Sequence, residues 1–111
     1  MRHLLSLFDL STDEIQQIFQ VAKELKQQYE RGIREPLFAG RMMALLFEKQ
    51  SLRTRVSFES AFGHMGGNCL FLGEDVGWGK RESTADFSRV LTQYVDILVC
   101  RAKSHTKVME L

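Results

Sequence analysis

The chain has 111 residues, 44% of them hydrophobic and 26% charged, which bounds it to one small globular domain with a modest core. A net charge of +1 without a basic stripe gives no basis for nucleic-acid binding, and no apolar stretch is long enough to span a bilayer. The Leu4, Leu5, Leu7, Phe8 run is interrupted by Ser6 and Asp9 and no small-residue cleavage pattern follows, so a secretory leader is not expected.

Ser11 with Glu14 forms a capping-box pattern, and Ile15, Ile18, Phe19, Ala22 and Leu25 give the apolar stripe of a first helix running to about Tyr29. Gly32 and Pro36 mark its end. Arg41 to Phe47 is almost unbroken apolar sequence, as expected of a strand buried on both faces of a parallel sheet. A second helix is predicted from about Leu52 to Met65, with Phe58, Ala61, Phe62 and Met65 on one face and Gly66-Gly67 as the stop. Cys69 to Leu72 reads as a second strand, and Gly73 to Lys80 as a loop. Phe87, Val90, Leu91 and Tyr94 define a third helix capped by Ser83 or a neighbour, and Ile97 to Cys100 a third buried strand. Ser104 could cap a final helix whose Val108, Met109 and Leu111 are still apolar where the chain stops, so that helix reads as cut. Strands alternating with helices predict an α/β fold, three-layered, with a parallel sheet and right-handed crossovers. Cys69 and Cys100 fall in strands without metal or redox spacing and are expected to be buried free thiols in a reducing cytoplasm. His64 and His105 have no carboxylate or cysteine at ligand spacing, so no metal is expected.

The densest chemistry lies between the first strand and the second helix, in Ser51-Leu52-Arg53-Thr54-Arg55-Val56-Ser57. Two readings of it are open. In one, Ser51 caps the helix and the arginines lie on a solvated first turn. In the other, the free N–H groups and positive dipole end of the helix hold an anion, helped by the hydroxyls of Ser51, Thr54 and Ser57 and the guanidinium groups of Arg53 and Arg55. Arginine is the wrong charge for a helix start unless an anion offsets it, which favours the second reading. In a parallel α/β sheet ligands sit beyond the carboxyl ends of the strands. The loop after the second strand carries Trp78 to Arg81, and Arg101 follows the third strand, so both head for the same edge. From the residues alone, Arg101 and Lys80 could equally be solvated cations and Trp78 a core or interface aromatic. Glu48 and Glu82 are either carboxylates that orient arginines or surface carboxylates.

Ser51-Leu52-Arg53-Thr54-Arg55, followed by Val56-Ser57-Phe58-Glu59, resembles the carbamoyl phosphate signature Ser-Thr-Arg-Thr-Arg of the aspartate and ornithine carbamoyltransferases. His3-Leu4-Leu5-Ser6-Leu7 with Asp9-Leu10-Ser11, Gly79-Lys80-Arg81-Glu82-Ser83 with Ala85-Asp86, Arg89-Val90-Leu91 and Tyr94-Val95-Asp96 extend the resemblance to nearly the whole chain. The resemblance implies a partial carbamoyl phosphate-binding domain in which Ser51, Leu52 through its backbone, Arg53, Thr54 and Arg101 bind carbamoyl phosphate or phosphate. Arg53 and Arg101 would be the catalytic charge-stabilising groups, and Arg55 a support for the motif. Trp78 and Lys80 would reach into the site of a neighbouring subunit of a trimer. It further implies a cytoplasmic carbamoyltransferase of arginine biosynthesis that makes citrulline from ornithine, without cofactor. The family's first domain continues with more strands and a His-Pro-x-Gln segment, and a second domain binds the amine, so residues 1–111 are expected to be a truncated, self-associating and inactive piece. The alternatives are an aspartate-type carbamoyltransferase or a non-catalytic, self-associating α/β anion-binding module. Two departures stand out: Leu52 replaces the usual threonine, and Gly77-Trp78 stands where ornithine enzymes often carry a glutamine.

Overall fold

The structure is a computed structural model, and it describes residues 2–49, 51–73, 78 and 83–111. Two compact units divide the chain, Met1–Arg34 and Glu35–Leu111.

The first unit starts with a 3-10 turn, Leu7–Asp9, that the sequence reading did not anticipate. Ser6 and Asp9 cap it reciprocally: the Asp9 carboxylate accepts from the N–H groups of Leu5 and Ser6, and Ser6 Oγ from that of Phe8. Helix α1, Thr12–Glu30, begins with the expected capping box, in which Ser11 Oγ accepts from Glu14 N–H and the Glu14 carboxylate from Ser11 N–H. Glu14 also pairs with Arg2, and this hydrogen bond, ahead of the one from Ser11, holds its carboxyl down at about 2. Gly32 takes up a φ of +80° after the helix, a conformation that costs glycine little. The predicted stripe does not become a core: α1 buries no residue, and Ile18, Phe19 and Ala22 are exposed.

The second unit is built on a parallel sheet of order β2-β1-β3, where β1 is Met42–Phe47, β2 Asn68–Leu72 and β3 Ile97–Arg101. As the central strand, β1 is buried on both faces, which its unbroken apolar sequence predicted. Helix α2, Leu52–His64, joins β1 to β2, helix α3, Thr84–Thr92, precedes β3, and a short α4, His105–Met109, follows it. One face of the sheet packs Met43, Leu45 and Phe47 with Phe62 of α2 and with Phe38, whose ring stacks on Phe62 at 4.9 Å. The other packs Leu46 with Trp78 and Phe87. Of the stripe predicted for α2, only Phe62 is buried, whereas Phe58 and Ala61 are exposed. Gly66, with a φ of +89°, ends that helix. Ser83 caps α3 as expected by accepting from Asp86 N–H. At the amino edge of the sheet the Asp96 carboxylate accepts from Met42 N–H and from Arg41. Cys69 and Cys100 are free and half-buried, and burial, reinforced by the charge of Glu48, pushes the Cys100 thiol up to about 11.

Candidate anion-binding site

Phe47 and Arg101, the last residues of β1 and β3, lie side by side in register. The segments that follow them therefore leave from the same edge of the sheet. Glu48 N–H donates to Arg101 C=O at 2.8 Å and extends the ladder by one bond. The chain then enters α2 through Ser51, which has extended φ and ψ of −149° and 102°.

Ser51 stands where a cap stands, but its side chain does not bond the N–H groups of the first turn. Its hydroxyl donates instead to Thr54 Oγ1 at 3.0 Å. Arg101 Nη1 donates to the same Thr54 oxygen at 3.4 Å, across 47 residues of sequence. A threonine hydroxyl has two acceptor lone pairs and one proton. With both lone pairs engaged, Thr54 has only a proton to offer. The capping expectation thus holds for the position of Ser51 and fails for its bond, and the failure leaves the first N–H groups of α2 to another acceptor at the positive end of the helix dipole.

The other residues singled out from sequence divide clearly. Arg53 is exposed on the first turn of α2 and makes no hydrogen bond or ion pair among the described residues, and Leu52 beside it is also exposed. Arg55 is already engaged: its guanidinium lies 3.8 Å from the centroid of the Phe71 ring and its Nε donates to Glu59 at 3.0 Å. Ser57 donates back to Thr54 C=O. Trp78 is turned into the core of this same chain, only 4% exposed, rather than outward. Its ring faces Lys107 Nζ at 4.5 Å, and its Nε1 has no hydrogen-bond partner among the described residues. Lys80, Gly77 and Glu82 lie outside the described residues. Glu48 is not a surface carboxylate: it accepts from Lys103 N–H at 2.9 Å and from Lys107 Nζ at 2.7 Å, with its side chain 13% exposed. These bonds, the one from Lys107 first, hold its carboxyl below the usual carboxylate range. No cluster of His, Cys, Asp or Glu able to hold a metal occurs among the described residues.

A parallel α/β sheet with hydroxyls, a helix N-terminus and a guanidinium gathered at its carboxyl edge defines a class of proteins that grip oxyanions there. Within that class the chain belongs to the aspartate/ornithine carbamoyltransferase carbamoyl-P binding domain family, whose sequence model matches residues 2–111. It is similar to the ornithine carbamoyltransferases of Wolinella succinogenes, 41% identical over 99% of this chain and 36% of that one, and of Bacillus subtilis, 43% identical over 99% and 34%. Among solved structures, ornithine carbamoyltransferase from Pyrococcus furiosus superposes with a TM-score of 0.94 at 40% identity, covering 98% of this chain and 35% of that one. The catalytic subunit of M. jannaschii aspartate transcarbamoylase gives a TM-score of 0.82 at 33% identity, covering 94% of this chain and 35% of that one. The chain spans about 36% of the length of the first of these curated relatives.

Proposed function

We propose that this chain is the carbamoyl phosphate-binding part of an ornithine carbamoyltransferase. The observation that carries the reading is Thr54, whose hydroxyl accepts from both Ser51 and Arg101 and is thereby left to donate at the N-terminus of α2. Ser51, the Leu52 N–H, Arg53, Thr54 and Arg101 are the groups assigned to the phosphate and carbonyl oxygens. Attack of an amine on the carbamoyl carbon builds negative charge on the carbonyl oxygen and releases phosphate, and preorganised N–H and guanidinium donors stabilise both. No covalent nucleophile is required. Arg55, held on Phe71 and Glu59, supports the first turn from behind.

Ornithine is preferred over aspartate as acceptor because the relatives compared by sequence carry the ornithine name. The reaction then gives citrulline and phosphate, a step of arginine biosynthesis expected in the cytoplasm, and the 111 residues by themselves bind the ligand without turnover. Exposed apolar side chains such as Leu7, Phe8, Phe19 and Tyr94 support self-association, which light scattering tests. No described helix is long and apolar enough to cross a membrane. Titration with carbamoyl phosphate, followed by amide NMR, should shift the signals of residues 51–55. An unchanged spectrum at millimolar ligand refutes the site, and carbamoylaspartate in place of citrulline from the whole protein refutes the acceptor.

A further inference from the structure

The backbone on either side of Ala102 is held twice by one residue. Glu48 N–H donates to Arg101 C=O at 2.8 Å, and Glu48 Oε1 accepts from Lys103 N–H at 2.9 Å. Arg101 is therefore launched towards Thr54 from a stretch of chain pinned at both ends. The residue that pins it follows β1 directly, three positions before Ser51, so the two arms of the anion site share one anchor. A carboxylate beside an anion site would ordinarily repel the ligand. Here Lys107 Nζ, 2.7 Å from Glu48 Oε2 and itself 4.5 Å over the Trp78 ring, offsets that charge.

We propose that Glu48, neutralised by Lys107, is a positioning residue for anion binding: it clamps the Arg101–Lys103 backbone so that the Arg101 guanidinium is delivered to Thr54. This rests on the anion-site reading above and assigns a residue that touches no ligand. Position and charge make opposite predictions. If Glu48 acts only through its charge, Glu48→Ala removes a negative group, leaves Lys107 as an extra cation and tightens phosphate binding, while Glu48→Asp changes nothing. If it acts as a clamp, both substitutions weaken binding, because alanine has no acceptor and aspartate falls one methylene short.

The experiment is titration of inorganic phosphate into the wild-type chain and the two variants at one salt concentration, read by amide NMR. The single Trp78 reports by its emission that the core around it is intact. The expected result is a dissociation constant about tenfold higher in both variants, equivalent to roughly 1.4 kcal/mol. Tighter binding by Glu48→Ala, or unchanged binding by Glu48→Asp, overturns the proposal. Should either variant fail to fold, the wild-type chain still decides: the Lys103 amide must exchange slowly with solvent although Lys103 is exposed, and rapid exchange overturns the clamp. Failure of the wild-type chain to bind phosphate at all refutes the anion-site reading itself, and is seen before any variant is made.

Discussion

Gly67→Ala tests how α2 is seated on the sheet. A Cβ at this position would stand 2.1 Å from Phe62 Cε2, 2.3 Å from Cδ2 and 2.9 Å from Cζ. Carbon atoms in contact keep about 3.5 Å, so the ring must retreat by more than 1 Å. It has nowhere easy to go, because Phe62 is 3% exposed, stacks on Phe38 with an interplanar angle of 19° and packs on Met43, Leu45 and Phe47. Overpacking a filled core costs about 1–3 kcal/mol, and spoiling an aromatic pair about 0.5–1.5 kcal/mol more. A loss near 2 kcal/mol is expected, which for a unit of this size lowers Tm by roughly 8–16 °C. Thermal unfolding followed by circular dichroism measures it. Phe62→Leu should relieve the clash, so that Gly67→Ala costs less than half as much in that background, a coupling that a double-mutant cycle reads directly. A Tm within about 2 °C of wild type, or a cost that is the same in both backgrounds, would show that the Phe62 ring does not lie over Gly67.

Arg101→Lys keeps the charge but loses the planar fork, and should weaken phosphate binding roughly tenfold or more by NMR titration; equal affinity would remove Arg101 from the site. The depressed Glu14 carboxyl contributes stability to the first unit that is complete above its ordinary value of 4.5 and is lost as pH falls through about 2. Side-chain NMR between these values checks it, and a Glu14 midpoint near 4.5 contradicts the Arg2 and Ser11 bonds. Cys100, raised to about 11 by burial, should resist thiol reagents at pH 8 in the folded chain and react fully once unfolded. Rapid native labelling would be the contrary result.

Local chemistry was the legible part of this sequence. The central strand showed because burial on both faces leaves no alternation, and Ser11-Glu14 and Ser83 showed because a cap is a contact between near neighbours. The stripe of α2 misled in its extent: spacing marks what a helix could bury, whereas only Phe62 meets the sheet core. Ser51 was readable as a helix start but not as a donor to Thr54, because the N–H donors of the first turn and the Thr54 hydroxyl both stand within a few residues of it and pattern does not rank them. Glu48 was the largest gap. Its partners Lys103 and Lys107 lie 55 and 59 positions away, and only the adjacency of β1 and β3 brings them within reach. Arg55 on Phe71 has the same origin, a helix laid beside the strand that follows it.

The strand order β2-β1-β3 also fixes when the site can exist during folding. Ser51 and Thr54 can meet as soon as α2 forms, but Arg101 arrives only when β3 docks on β1, a pairing whose amino end joins Met42 to Asp96 over 54 residues. Closing so long a loop is the slow part of making a parallel sheet. Phosphate supplied during refolding should consequently leave the rate of sheet formation unchanged and slow its loss, acting as a latch on the finished topology and not as a seed for it.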